Sequence, residues 1–378
     1  MNTKKTINFQ SGAVSLFMVI FAMLLMGIVT ISFLRIMTSD QRQASDNDLS
    51  QSAYDSAIAG VEDAKRALLW HAELCKTDPS SCDTRSLQMA TDQCNAAIRL
   101  AGVVKDGDYS DTAGGVGTGE VRIQQSTVTE GGESIDAALD QAYTCVTLTL
   151  NTPDYTATLL ADESKLIPLV STEPFNSITI EWFRRDNAPG AAGSLNIPAV
   201  TDRARLLTRA DWPSNRPAVM RAQYMQVGDN FTLPGFDTTT DAGESNSNTL
   251  FLYPASAGLP GTTEFGRDAR RTESGTGSPA LSTVAPTVAR CANSVGAKEY
   301  ACSITIQLPT PIGGGNAAAA YLRLTPLYKA SDIRVTLSNG LFKSVQPKVD
   351  STGRANDHFR RVERRIDMYA TSFLYPDA

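Results

Sequence analysis

Histidine is scarce in this chain: among the 378 residues there are two histidines, His71 and His358. A metal centre built on several histidines is therefore not expected. The sequence also contains no C-x-x-C pair, no G-x-S-x-G, no P-loop and no H-E-x-x-H. These absences argue against structural zinc, thioredoxin-like chemistry and the common hydrolase classes. We predict a protein that is not an enzyme and that holds no cofactor and no metal.

A surplus of basic residues is also missing. Lysine and arginine number 34 against 40 aspartates and glutamates, which gives a formal net charge of -6 and a pI of about 5.1. Nucleic acid is therefore not an expected partner. The local basic run Arg360–Arg365 includes Glu363 and is interpreted as a solvated strand face. The acidic segment 106–111 is interpreted as a solvated turn rather than a calcium loop.

The amino-terminal region lacks both charge and proline. Ala13–Leu34 comprises 22 residues with no charged side chain, and the first proline of the chain is Pro79. As a helix this segment spans about 33 Å, enough for the hydrocarbon core of a bilayer. Lys4 and Lys5 precede it, so we expect the amino terminus in the cytoplasm and the rest outside. The predicted location is the plasma membrane, crossed once, with the head at the cell surface.

The same helix is predicted to continue to residue 72, but with a different character. Apolar residues recur at steps of three or four and form a single stripe, as in an amphipathic helix. The stripe consists of Leu49, Ala53, Ala57, Val61, Ala64 and Leu68. The first half of the helix therefore needs lipid or other apolar helices around it. The second half needs a domain to pack against.

Two stretches of this region resemble a known family. Residues Gln10–Phe17 read QSGAVSLF, so that a polar leader bearing lysines ends in Gly12 directly before the apolar helix. This junction resembles the prepilin peptidase site of type IV pilins. The stretch Gln51–Lys65, QSAYDSAIAGVEDAK, resembles the helix of PilX-type minor pilins and of pilin-like proteins of Saccharibacteria. The resemblance covers about residues 10 to 68 of the chain.

The resemblance implies a leader over residues 1–12, cleavage after Gly12 and Ala13 as the mature amino terminus. It implies prepilin peptidase, other pilins, the assembly platform with its ATPase, membrane lipid before assembly and a host-cell surface as partners. Major pilins carry a Glu at the fifth mature position, where this chain has Phe17. A carboxylate in lipid is retained where it has a partner, so its absence favours a tip or initiating subunit. The alternative is a static, signal-anchored surface adhesin that never enters a filament.

Beyond residue 72 the composition changes, and all 18 prolines lie in this part. Short alternating apolar runs between turn residues predict a β-rich, mostly antiparallel globular head, so the fold class is α+β. A boundary near residues 170–176 divides this head into 73–170 and 171–378. Asn339-Gly340 is expected to join two strands in a hairpin. The predicted strands are Glu120–Gln125, Tyr143–Leu150, Ser177–Arg184, Val219–Val227, Tyr300–Leu308, Ala320–Leu327, Asp332–Leu337, Phe342–Val345 and Arg365–Phe373.

All cysteines of the chain lie beyond the apolar segment. They are Cys75, Cys82, Cys94, Cys145, Cys291 and Cys302. An even number of cysteines in an exported domain predicts disulfides. Cys291 and Cys302 bracket ten residues with turn-forming side chains, which indicates a hairpin-like loop, while three pairings stay open for the other four. Residues 83–100, which include Cys94, are predicted to form one short helix.

Overall fold

The computed structural model of the chain describes residues 12–104, 109–110, 119–123, 140–187, 194–200, 207–227, 247–256, 261–264, 286–296, 299–313 and 319–369. Within these ranges one long helix comes first, and strands make up most of the chain after it. Residues 1–11 of the predicted leader, and most of the acidic segment 106–111, lie outside the described residues.

Helix α1 runs without a break from Gly12 to Thr77, a length of 66 residues. No proline interrupts it, and it ends one residue before Asp78, which directly precedes Pro79. The ring of a proline disfavours helical backbone at the preceding residue, which explains the position of this end. The helix therefore ends at Thr77 rather than at residue 72.

Two short helices come next, α2 (Pro79–Met89) and α3 (Ala96–Leu100). The prediction of one helix over 83–100 is wrong, because α2 ends at Met89 and Asn95, directly before α3, has a left-handed backbone at φ 62°. Asn95 is fully buried, its Oδ1 accepts a hydrogen bond from Val146 N at 2.9 Å, and its Nδ2 donates to Gly119 O at 3.0 Å. These contacts distant in sequence outweigh local helix propensity.

The strands account for most of the remaining described residues. They are β1 (Tyr109–Ser110), β2 (Glu120–Arg122), β3 (Gln141–Thr152), β4 (Asp154–Leu159), β5 (Lys165–Pro168), β6 (Phe175–Arg184), β7 (Val219–Val227), β8 (Ser247–Ser256), β9 (Thr262–Glu264), β10 (Thr287–Cys291), β11 (Tyr300–Ile312), β12 (Ala319–Leu327), β13 (Ser331–Leu337), β14 (Phe342–Ala355) and β15 (His358–Arg365).

The strands form two sheets. The first has the order β1-β2-β3-β14-β15, and the second β4-β13-β6-β11-β10-β8-β7-β12-β5, with β9 paired to β11. In the second sheet the pairs β8–β10 and β9–β11 are parallel, and the other pairs are antiparallel. The prediction of an α+β chain, with a long apolar helix before a β-rich part with antiparallel sheets, is confirmed.

The predicted hairpin through Asn339-Gly340 is wrong, since β13 and β14 belong to different sheets. Gly340 does adopt a positive φ of 74°. The turn is instead held by another segment: Asn339 Nδ2 donates to Pro174 O at 3.1 Å, and Leu341 N donates to Thr172 Oγ1 at 3.0 Å. These bonds direct the chain from one sheet to the other.

The last predicted strand, Arg365–Phe373, is also placed differently. The strand observed there is β15, which ends at Arg365, while residues 370–373 lie outside the described ranges. The prediction further omitted β1, β4, β5, β8, β9 and β10. The apolar run of β8 at Leu250–Tyr253 is a strand signal that was available in the sequence.

The chain divides into two compact units, and neither is continuous in sequence. The helix unit comprises Met1–Cys82, Asp92–Thr147 and Asp350–Glu363, and the sheet unit comprises Asp83–Thr91, Leu148–Val349 and Arg364–Ala378. The predicted boundary near residues 170–176 stays a prediction. The core of the sheet unit includes Trp182 of β6, which is fully buried and donates from Nε1 to Ala218 O at 2.9 Å.

Candidate assembly helix and its docking face

The first half of α1 is an exposed apolar surface. Its large apolar side chains from Leu16 to Met37 range from 48% exposed at Val19 to 75% exposed at Met26. The mean hydropathy of the most apolar 18-residue window reaches 2.6, so α1 is long and apolar enough to cross a membrane. Phe17, at the fifth position counted from Ala13, is 73% exposed and belongs to this surface.

Three hydroxyl groups on this half of α1 are satisfied within the helix itself. Thr30 Oγ1 donates to Met26 O at 2.7 Å, and Ser32 Oγ donates to Ile28 O at 2.8 Å. Thr38 Oγ1 likewise donates to Leu34 O, one turn earlier in the helix, at 2.6 Å. An unsatisfied hydroxyl would be costly in hydrocarbon, so these bonds make the segment compatible with an apolar environment.

The second half of α1 buries one face. The structure places Ala53, Ala57, Val61, Ala64 and Leu68 of the predicted stripe at 0–2% exposure, and Leu49 is half-buried at the start of the contact. Ser56, Gly60 and Ala67 extend this buried face. Small residues dominate it, which allows the helix axis to come close to the first sheet.

Two glycines mark the closest approach of helix and sheet. A Cβ added at Gly353 of β14 would lie 2.2 Å from Ala53 O and 2.2 Å from Ala57 N, both backbone atoms of α1. A Cβ at Gly60 of α1 would lie 2.5 Å from Ser351 Oγ and 2.8 Å from Val146 Cγ2. The contact at Gly353 has no side chain that could rotate away. It is a long-range contact that no local sequence pattern revealed.

Polar contacts complete the docking of α1. Tyr143 of β3 donates from its hydroxyl to Asp63 Oδ2 at 2.9 Å. At the opposite end of the docked segment, Arg360 Nε of β15 donates to Ser50 Oγ at 2.7 Å. His358 Nε2 lies 3.7 Å from Asp46 Oδ1. The basic run on β15 therefore supplies contacts to the helix as well as a solvated face.

Burial raises the pKa of the Asp63 carboxyl, although the bonds from Tyr143 and Arg66 partly offset that rise. The folded protein consequently binds this proton more tightly than the unfolded chain does. Stability from this group is present while the carboxyl is protonated and is lost as pH rises through the folded pKa. Ionised Asp63 thus slightly opposes docking at neutral pH.

We expect Asp63→Asn to raise the urea midpoint of unfolding modestly at pH 7, because the amide oxygen still accepts from Tyr143 and carries no charge. At pH 3 the difference between the variant and the wild type should shrink, because Asp63 is then protonated. Urea titrations of the full chain in detergent at both pH values test this. The raised pKa of Asp63 would be contradicted if the urea midpoint of the variant, relative to that of the wild type, were lower at pH 7 than at pH 3.

All six cysteines are paired, as Cys75–Cys82, Cys94–Cys145 and Cys291–Cys302. The prediction of disulfides is confirmed, and the structure selects one of the three pairings left open. Cys291 and Cys302 face each other on the antiparallel strands β10 and β11, as the hairpin-like loop suggested. Cys94–Cys145 ties the segment before α3 to β3, and Cys75–Cys82 joins the end of α1 to α2.

The two histidines have different surroundings. His71 is 5% exposed near the end of α1, and its Nε2 lies 3.5 Å from Cys75 Sγ. Within the described residues, His71, Cys75 and Cys82 form the one group whose potential metal-ligating atoms lie within 4.8 Å of one another. Both sulfurs are bonded to each other, so they are not thiolate ligands in this state.

The predicted processing residues lie at the start of this helix, with Gly12 as the first residue of α1 and Ala13 as the second. Comparison of the chain with protein-family models, with curated proteins and with solved structures finds no match.

Proposed function

We propose that the chain is a minor subunit of a type IV pilus or a related filament, in a tip or initiating position, and contributes to assembly and surface adhesion. The observation that carries this proposal is the division of α1 into an exposed apolar half and a half docked on β3, β14 and β15 within the helix unit. The first half moves from lipid into a bundle of like helices, while the second half keeps the head attached throughout.

The position in the filament is inferred from Phe17. An apolar residue there leaves the subunit without a carboxylate to pair with the amino terminus of a subunit above it. Such a subunit ends a filament or starts one. The large β-rich head supports the same position, because two sheets with long connections are bulky for repeated packing in a shaft.

The setting of this function is the outside of the plasma membrane. Lys4 and Lys5 keep the amino terminus in the cytoplasm, and α1 crosses the bilayer once before assembly. The disulfides suit an oxidising compartment. Prepilin peptidase, the assembly platform with its ATPase and other pilins are the proposed partners, and the exposed head is the proposed contact to a host-cell surface.

The mature amino terminus tests the proposal. We expect mass spectrometry of purified filaments to identify a chain that begins at Ala13, and this processing to depend on prepilin peptidase. Gly12→Ala should block cleavage, leave the subunit in the membrane fraction and remove it from the filaments, because maturation precedes assembly in this proposal. Gly27→Ala is the matched control, because nothing lies within 4 Å of a Cβ at Gly27.

The alternative is a static adhesin anchored by an uncleaved helix. It predicts a chain that begins at Met1 in surface fractions, and a Gly12→Ala variant with unchanged adhesion and localisation. Full-length chain at the surface of cells that assemble normal filaments, with none in the filaments, would overturn the pilin proposal.

A further inference from the structure

The end of α1 holds a disulfide with a histidine beside it, and this bridge differs from the other two. His71 and Cys75 are four residues apart, so they lie on the same face of the helix. His71 Nε2 lies 3.5 Å from Cys75 Sγ, and all potential ligand atoms of His71, Cys75 and Cys82 lie within 4.8 Å of one another. The arrangement places an acid–base group in contact with a disulfide sulfur.

The other two bridges are less suited to reaction. Cys291 and Cys302 are both 0% exposed, so a thiol has no access to them. Cys94 and Cys145 are half-buried, but the residues that follow them are bonded to each other. Asn95 N donates to Val146 O at 2.9 Å, and Val146 N donates to Asn95 Oδ1 at 2.9 Å. Opening that bridge would strain this network. Cys75 and Cys82, by contrast, are half-buried and flank an exposed segment that contains Lys76, Thr77, Pro79 and Ser80.

We propose that Cys75–Cys82 is a thiol–disulfide exchange site, at which a thiol-bearing partner forms a mixed disulfide with Cys82 and His71 handles the proton of Cys75. The inference does not depend on assembly into a filament. It applies equally to a pilin and to a static surface protein.

The exchange balances without any further oxidant or reductant. The incoming thiolate attacks Cys82 Sγ, the Cys75–Cys82 bond breaks, and its electron pair goes to Cys75 Sγ. The proton lost by the incoming thiol reaches Cys75 through His71 Nε2. The products are one mixed disulfide at Cys82 and one thiol at Cys75. In the reverse direction, His71 takes the Cys75 proton and the resulting thiolate expels the partner.

The surroundings of His71 suit this role. Burial lowers the pKa of the imidazole, while a hydrogen bond to the backbone of Cys82 partly offsets that decrease. The ring is therefore neutral near pH 7 and able to accept a proton. The same backbone bond holds the ring beside the disulfide, where Nε2 lies 3.5 Å from Cys75 Sγ.

Exchange with glutathione in its thiol form tests the proposal on the full chain in detergent. After short incubation and quenching with a maleimide, peptide mass spectrometry should find glutathione on Cys82 and the maleimide on Cys75. The bridges Cys94–Cys145 and Cys291–Cys302 should remain intact over the same time. If either of these bridges is labelled faster than Cys75–Cys82, Cys75–Cys82 is not the exchange site. The wild-type protein is sufficient for this test.

His71→Asn tests the role of the imidazole. We expect the exchange rate to fall about tenfold and the preference for Cys82 over Cys75 to disappear, because the departing Cys75 sulfur no longer receives a proton. Resistance of the buried Cys291–Cys302 bridge to glutathione verifies that the variant is folded, because unfolding would expose it, and His71→Gln repeats the test if it is not. His358→Asn is the matched control. An unchanged rate and an unchanged site of glutathione attachment in the His71 variants would refute the role of His71.

Discussion

Gly353→Ala is expected to lower the free energy of unfolding of the helix unit by about 3 kcal/mol. The added Cβ meets Ala53 O and Ala57 N at 2.2 Å, and neither backbone atom can rotate away. Helix α1 must therefore move outward, which separates the buried alanines of the stripe from the sheet. Because Gly353 lies outside the left-handed φ region, the requirement for glycine is one of space rather than of backbone conformation.

Chemical denaturation of the full chain in detergent measures this loss, and limited proteolysis between Asp46 and Ser56 reports on undocking of the helix. Gly261→Ala is the matched control, because nothing lies within 4 Å of a Cβ at that position. A Gly353→Ala protein with wild-type denaturation midpoint and protease resistance would show that α1 is not held against β14 at this distance.

Trp182→Ala is expected to destabilise the sheet unit by about 4 kcal/mol. The side chain is fully buried on β6, with Cys302 of β11 on one side and Ile333 of β13 on the other. Its removal leaves a large cavity in the centre of the core and the Ala218 carbonyl without the indole donor. Thermal unfolding monitored by tryptophan fluorescence and circular dichroism measures the effect.

Replacing Trp182 and Trp212 separately by phenylalanine compares a tryptophan whose indole nitrogen is hydrogen-bonded with one whose indole nitrogen is not, among the described residues. Trp182→Phe loses the 2.9 Å bond to Ala218 O, so we expect a cost of about 2 kcal/mol. Trp212 stacks on Tyr328 with ring centroids 4.7 Å apart, and its Nε1 has no hydrogen-bond partner within the described structure. Trp212→Phe should therefore cost less than about 1 kcal/mol. Equal losses at both positions would contradict this account of the core.

The amino-terminal helix was the most predictable part of the fold, because its signals are local. Absence of proline and charge, and then a stripe at steps of three or four, indicated both halves of α1 and the apolar stripe of its buried face, although not Ser56, Gly60 and Ala67. The actual end at Thr77 depends on the conformational effect of Pro79 on Asp78. The predicted end at residue 72 was based on the change in composition, which does not include the effect of a proline on the residue before it.

The arrangement of the head was less predictable, because it depends on contacts between distant residues. Asn339-Gly340 forms a turn, as expected, but bonds to Thr172 and Pro174 determine where that turn leads. Asn95 likewise divides a predicted helix through its bonds to Val146 and Gly119. The docking role of Gly353 depends on a helix almost 300 residues earlier in the chain, and a single sequence contains no sign of that proximity.

The inward bonding of Thr30, Ser32 and Thr38 affects how easily α1 changes its surroundings. Each of these hydroxyls keeps its carbonyl acceptor whether acyl chains or neighbouring side chains lie outside, so the transfer from lipid to a helix bundle that we propose breaks none of these three bonds. If the chain is a filament subunit as proposed, these internal bonds imply that it returns to the bilayer without new unsatisfied hydroxyl groups at Thr30, Ser32 and Thr38.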